Sequence, residues 1–166
     1  MKEKVVVYGL STEGYSLACK IAMKGADVHI IDESSSSAIL LNSETAKTYP
    51  NMGSLHGDEP LLSMQPIDLA ISGARYLFFT PRIRKTGQDL KTEINSKFKD
   101  AIKPLKKGSS VVYCVATGFG GNNENISLLK HVTGFEIGKT TSYFYFPLNS
   151  VNNSPYIIGS LNNIKD

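Results

Sequence analysis

The chain has 166 residues, 41% hydrophobic and 20% charged, which suits one compact domain able to bury a real core. Its 18 Lys and Arg against 15 Asp and Glu leave a formal net charge of +3, too small an excess to imply nucleic-acid binding. No apolar run is long enough to span a bilayer, and the amino terminus reads directly into a strand without a signal-peptide pattern.

Strand-like and helix-like segments then alternate. Val5 to Tyr8 is a short β-branched run closed by Gly9. Residues 13–24 carry Leu17, Ala18, Ile21 and Ala22 on one helical face and stop at Gly25. Val28 to Ile31 reads as a second strand ending at Asp32, and the run Ser34 to Ser37 offers hydroxyls to cap a helix over about residues 36–47. Residues 49–60, with Pro50, Gly53, Gly57 and Pro60, read as a long loop. Leu61 to Met64 is a candidate third strand and Ile67 to Ser72 a short helix. Tyr76 to Phe79 is a fourth strand, stopped by Thr80-Pro81 and followed by a polar loop over residues 82–88. Leu90, Ile94, Phe98, Ile102 and Leu105 recur at helical spacing, with Lys103, Lys106 and Lys107 near the helix end. Ser110 to Cys114 reads as a fifth strand, and Ile126, Leu128, Leu129 and Val132 mark the next helix. Tyr143 to Phe146 and Tyr156 to Ile158 read as closing strands. The aromatic strand at 143–146 is expected to fill the core on one side and an interface on the other. This β-α-β alternation predicts an α/β fold, a mainly parallel sheet with helices on both faces.

The first turn carries chemistry. Gly9-Leu10-Ser11-Thr12-Glu13-Gly14 follows the first strand and opens the first helix. It fits the dinucleotide fingerprint at Gly9 and Gly14, with Ser11 in place of the middle glycine. A serine hydroxyl there can bond a phosphate oxygen or crowd it, and the helix amino terminus offers N–H groups and a partial positive charge. Asp32 lies 18 residues beyond Gly14, at the end of the second strand. That is near the spacing of the acid that binds the adenosine ribose, and with Glu33 beside it a 2′-phosphate would be repelled, favouring NAD over NADP. The whole chain, residues 1–166, thus reads as a single NAD-binding domain of Rossmann-like, doubly wound type. The first strand is expected near the centre of the sheet and the nucleotide crevice above Gly9.

The sequence resembles the nucleotide-sugar 6-dehydrogenases, the UDP-glucose, GDP-mannose and UDP-N-acetylmannosamine dehydrogenase family. The resemblance rests on Val5 to Asp32, on Phe78-Phe79-Thr80-Pro81, on Ala116-Thr117-Gly118-Phe119-Gly120-Gly121, and on Glu59-Pro60-Leu61 between them. It implies NAD as cofactor and a nucleotide sugar as the substrate class, oxidised at C6 from alcohol to carboxylate. It sets Thr80, Pro81 and Thr117 beside the nicotinamide, with Thr117 helping to position the water used in catalysis. The cofactor-binding set is then Gly9, Ser11, Thr12, Glu13, Gly14, Asp32, Thr80, Pro81 and Thr117. Where the family has a catalytic glutamate this chain has Leu148, after Phe146-Pro147. The family's cysteine nucleophile belongs to later domains and matches neither Cys19 nor Cys114. The chain alone is therefore expected to hold cofactor without turning over sugar, with a separate catalytic domain or a second copy as partner.

The remaining signals are plainer. Cys19 and Cys114 read as buried, reduced thiols in a cytoplasmic protein, with Cys114 inside the sheet and outside any cleft. His29, His56 and His131 have no metal-ligand spacing. Arg82, Arg84 and Lys85 form a basic loop that reads either as a solvated loop or as a phosphate clamp. Two further readings stand beside the dehydrogenase module: a non-catalytic NAD-binding module acting through a partner, and a cofactor domain of the hydroxyacid or phosphogluconate dehydrogenase type.

Overall fold

The computed structural model describes residues 2–34, 37–51, 64–148 and 158–160. They form one sheet with helices on both faces. In chain order the elements are β1 (Lys4–Tyr8), α1 (Thr12–Met23), β2 (Asp27–Ile31), β3 (Ser37–Leu41), α2 (Ser43–Thr48), β4 (Met64–Pro66) and α3 (Ile67–Ser72). There follow β5 (Tyr76–Phe79), α4 (Gln88–Ile102), β6 (Ser110–Tyr113), α5 (Gly121–Thr133), β7 (Ser142–Tyr145) and β8 (Gly159–Ser160). The strand order is β4-β3-β2-β1-β5-β6-β7-β8. β1 pairs in parallel with β2 on one side and β5 on the other, and the parallel run continues through β6 to β7. The chain leaves β1 in one direction and later restarts from its other edge. Such a switch point opens a crevice beyond the carboxyl ends of the central strands.

Strand alternation sorts the core onto the two faces. Val5 and Val7 of β1 and Val28 and Ile30 of β2 pack with Tyr15, Ala18, Cys19 and Ala22 of α1. Val6 and Tyr8 face the other way, with Ile31, Leu77 and Phe79, against Ile71 of α3, Phe98 and Ile102 of α4 and Leu129 of α5. Rings dominate this second face. Phe79 lies 5.0 Å from Phe98, centroid to centroid, and Phe98 meets Tyr113 edge-on at 5.1 Å, spacings at which aromatic pairs attract beyond their buried area. In β7, Tyr143 is buried on the face of Phe98 and Leu129, while Phe144 packs with Val112, Cys114 and Phe146 on the opposite one.

The expected helix over 36–47 is corrected. Ser37–Leu41 is a strand, antiparallel to β2 with Ile31 opposite Ala38 and Val28 opposite Leu41. Two causes combine. Asp32 makes a tight turn possible, its Oδ1 accepting the N–H and hydroxyl of Ser34 at 3.0 and 2.7 Å, an Asx turn that sends the chain back along β2. The helix start then lies further on, at Asn42. Its Oδ1 accepts the N–H groups of Glu44 and Thr45, and Thr45 Oγ1 accepts the Asn42 N–H, a reciprocal capping box. Ala38 to Leu41, after the serine run, pair as sheet, with Ala38 and Leu41 buried. Of the expected strand at Leu61 to Met64 only Met64 lies among the described residues, where it opens β4. The Glu59-Pro60-Leu61 element lies outside them, as do Tyr156 and Ile157 of the last expected strand.

Candidate functional site

The turn between β1 and α1 sits in the crevice. The Gly9 N–H donates to the carbonyl of Ile31 at 3.0 Å, which holds the turn directly beside Asp32. On its other side the turn is pressed against the end of β5. Thr80 donates its N–H to Tyr8 O at 2.8 Å, and its buried hydroxyl bonds the Gly9 carbonyl at 3.2 Å. This contact explains both glycines. A Cβ on Gly9, whose φ is +113°, would lie 2.1 Å from the Thr80 carbonyl oxygen, and one on Gly14 would lie 2.4 Å from Thr80 Oγ1. Thr80 is thus a rivet between β5 and the turn, a role that motif reading alone does not reveal.

Ser11 is the N-cap of α1. Its backbone is extended, with φ −87° and ψ 163°, and its hydroxyl accepts the Gly14 N–H at 3.0 Å. Nothing in that conformation requires glycine. The missing middle glycine is therefore a matter of side chain, and the hydroxyl occupies one of the helix's first donors while its own proton can still be donated. Thr12 and Glu13 are exposed at the same helix end.

At the end of β2 the two acids behave differently. Burial raises the Asp32 carboxyl, but the two hydrogen bonds from Ser34 and the charges of Arg82 and Arg84 outweigh it, so Asp32 lies below the usual carboxylate range and is ionised at neutral pH. Glu33 turns away. Its Oε2 meets Lys97 Nζ of α4 at 2.6 Å, with side-chain exposures of 19% for Lys97 and 11% for Glu33, and its Oε1 accepts the Arg82 N–H at 2.8 Å. Lys97 also pairs with Glu93 at 3.0 Å and donates to the Arg82 carbonyl. Glu93 in turn accepts the N–H groups of Arg84 and Lys85 at 3.2 and 2.8 Å. The network clamps the backbone after Pro81 and leaves Arg82 and Arg84 exposed. Single charged positions on a helix carried no signal for it.

These pairs set a pH dependence. Glu93 is held below the usual glutamate value, first by the Lys85 N–H and then by Lys97, so its contribution is present above that value and is lost as pH falls through the lowered one. Burial opposes the charge on Lys97, yet Glu33 and Glu93 raise it, and its own contribution is lost only in strong alkali. Lys97→Met is therefore expected to lower the melting temperature at pH 7, with a deficit that shrinks as pH falls through the lowered Glu93 value. Melting curves at pH 7 and 3.5 check this; an equal deficit at both would refute the ion-pair account.

Among the cavities at the ends of the strands, two lie by the loops after β5 and β6. One of about 180 Å³ lies in the crevice, walled by Ser11 and Glu13 from the turn, Thr80, Pro81 and Ile83 after β5, and Cys114, Val115, Ala116 and Leu148. Cys114 thus borders the cleft, contrary to expectation. It remains buried, and burial pushes its thiol up to about 12, so no thiolate forms at neutral pH. Thr117 is not in this cavity. It lines a second one, of about 270 Å³, between the starts of α4 and α5 with Leu90, Ile94 and Phe119, and the Tyr145 hydroxyl accepts its N–H at 3.1 Å. The structure therefore brings Thr80 and Pro81 together with the glycine turn and sets Thr117 apart. Among the described residues no group of His, Cys, Asp and Glu could hold a metal, and no helix is long and apolar enough to cross a membrane.

No protein-family model and no curated protein matches this chain. Solved structures do. An NDP-N-acetyl-D-galactosaminuronic acid dehydrogenase from Methanosarcina mazei Go1 superposes with a TM-score of 0.68 at 14% identity, over 98% of this chain and 39% of that one. A UDP-D-ManNAc dehydrogenase from Pyrococcus horikoshii gives 0.69 at 18% identity, over 96% and 41%. A GDP-mannose dehydrogenase from Pseudomonas aeruginosa gives 0.68 at 15%, over 96% and 41%. At these identities the likeness is one of fold. The chain has the fold of the amino-terminal portion of these enzymes and spans about two fifths of their length.

Proposed function

We propose that this chain is an NAD-binding module of the nucleotide-sugar dehydrogenase type. One observation carries the reading: the exposed amino terminus of α1 opens onto the crevice at the switch point, and the Gly9–Ile31 hydrogen bond sets an ionised Asp32 beside it. The donor set suits a dinucleotide. Backbone N–H groups and the Ser11 hydroxyl at a helix amino terminus suit a pyrophosphate, and a carboxylate suits the two hydroxyls of a ribose. Thr80 and Pro81 form the wall on the nicotinamide side, and Thr117 is assigned to the rim beyond it. Bound NAD would supply hydride acceptance; the chain's own residues hold and orient it.

The cleft wall gives the protein little chemistry of its own. Cys114 is a protonated thiol, and Leu148 cannot move a proton. The substrate-binding and thiolate chemistry of a nucleotide-sugar oxidation is accordingly assigned to a further domain or partner, and this chain to the cofactor. Titration of the purified chain, followed by calorimetry or NADH fluorescence, tests the reading. NAD should bind more tightly than NADP, and Asp32→Ala should weaken NAD by about 1–3 kcal/mol, the worth of hydrogen bonds to a charged group. Absence of NAD binding, or unchanged affinity in the variant, would overturn it.

A further inference from the structure

Between α3 and α4 the second face of the sheet is left open by a cleft of about 940 Å³. Its floor is the end of two central strands, Tyr8 of β1 and Ile31 of β2, and its sides carry Ile67 and Leu69 of α3 and Pro104 after α4. Leu69 is 57% exposed, an aliphatic side chain left in water beside the cleft. The charged groups here are Glu33, Asp68 and Asp100 against Lys103. Glu33 is bound to Lys97 and to the Arg82 N–H, whereas no ion pair among the described residues takes up Asp68 or Asp100.

Tyr8 is the buried polar group of the floor. The residue is 7% exposed, and its ring stacks on Phe79 at 5.7 Å. Its hydroxyl makes no hydrogen bond among the described residues and is not sealed from solvent, so it opens into the cleft that Tyr8 borders. Phenylalanine would give the same ring contact, and a buried hydroxyl without a partner is costly. Burial first, and then the charges of Glu33 and Asp100, push the hydroxyl's pKa up, so it stays neutral and able both to donate and to accept.

We propose that the cleft between α3 and α4 is a second ligand site, and that it takes a small organic cation, an amine carried on an apolar body. The volume lies in the range of small-molecule sites, about 300–1,000 Å³, which combine apolar walls with a few placed polar groups. Ile31, Ile67 and Leu69 cover the body of the ligand. The Tyr8 hydroxyl accepts an N–H at the floor, and Asp68 and Asp100, one from each helix, match the charge at the rim. An anion meets the same carboxylates and is repelled. A flat protein surface leaves the Tyr8 hydroxyl, at the floor, unreached. The site is separate from the glycine turn and goes beyond the nucleotide-binding reading, on which it does not depend.

The test titrates the purified chain with tryptamine and phenethylamine, with hydrocinnamate, which carries a carboxylate on a like body, and with spermidine, which has charge without the apolar body. Binding is followed by calorimetry and by amide NMR shifts, and melting curves check the folding of each variant. Both amines should bind saturably, with hydrocinnamate and spermidine weaker by about tenfold or more. Tyr8→Phe keeps the ring on Phe79 and removes the hydroxyl, and should weaken the amines by about tenfold, as expected for a hydrogen bond to a charged group. Asp100→Asn should weaken them by about threefold, an effect that fades with added salt. Leu69→Lys, at an exposed position, sets a like charge in the wall and should weaken them by about tenfold or more. If neither amine binds, if hydrocinnamate binds as well as phenethylamine, or if Tyr8→Phe and Leu69→Lys leave the amines unchanged, the inference fails and the NAD reading is untouched.

Discussion

Gly9→Ala is expected to cost this chain a large part of its stability. The residue has φ +113°, where an L side chain is strained by about 1–3 kcal/mol. The new Cβ would also lie 2.1 Å from the Thr80 carbonyl oxygen, 2.6 Å from its carbon and 2.7 Å from Pro81 Cα. These are backbone atoms held by the β1–β5 ladder and cannot rotate aside as a side chain would. Forcing them apart adds about 1–3 kcal/mol, the usual range for overpacking. Against a total stability of roughly 5–15 kcal/mol, the melting temperature should fall by on the order of 10 °C. Gly25→Ala is the control. Its φ is +99°, yet nothing lies within 4 Å of the added carbon, so strain acts alone and the fall should be less than half as large. Equal falls in the two variants would show that contact with Thr80 and Pro81 does not constrain the turn.

The second large effect concerns acid. His29 on β2 is 8% exposed, and its Nδ1 has no hydrogen-bond partner among the described residues. Burial, reinforced by the nearby charge of Lys4 and opposed by Asp27, pushes its pKa down to about 4. The unfolded chain regains the ordinary value near 6.5 and so binds the proton first. Stability is then complete above about pH 6.5 and drains away as pH falls toward 4, by about 3 kcal/mol over that window. The lowered carboxyls of Asp32 and Glu93 add their losses at the acid end of this window and below it. His29→Leu removes the titration and the unpartnered nitrogen together. Denaturant melts at pH 7, 5.5 and 4.5 should show a steep decline in the unaltered chain and a shallow one in the variant. Parallel declines would place the acid sensitivity elsewhere.

The elements that could be read from the sequence share one property: their pattern is local. β1, β2 and β5 are runs of β-branched and aromatic residues closed by Gly9, Asp32 and Thr80-Pro81, and α4 declares itself through Leu90, Ile94, Phe98 and Ile102 at helical spacing. β3 was hidden because Ser37–Leu41 carries no clean alternation of polar and apolar residues, and because a serine run mimics a helix start. Only its pairing with β2 decides the matter. The site divides along the same line. Gly9, Gly14 and Asp32 were legible from spacing, although the glycines prove to be dictated by the protein's own contact with Thr80. The bond between Glu33 and Lys97 joins residues far apart in sequence, and nothing near either one announces it. The family resemblance groups Thr117 with Thr80, whereas the two line different cavities.

The clamp made by Glu33, Lys97 and Glu93 also bears on how a ligand is received. Ordering a backbone residue costs about 1–2 kcal/mol of conformational entropy, and a rim that must organise itself around its guest subtracts that sum from the affinity. Here the carboxylates hold the N–H groups of Arg82, Arg84 and Lys85, and Lys97 holds the carbonyl of Arg82. The rim is ordered by the protein's own charges before anything arrives. Under the proposed dinucleotide-binding reading, association would be docking onto a preorganised surface, and the tightness of the complex would turn on the contacts themselves.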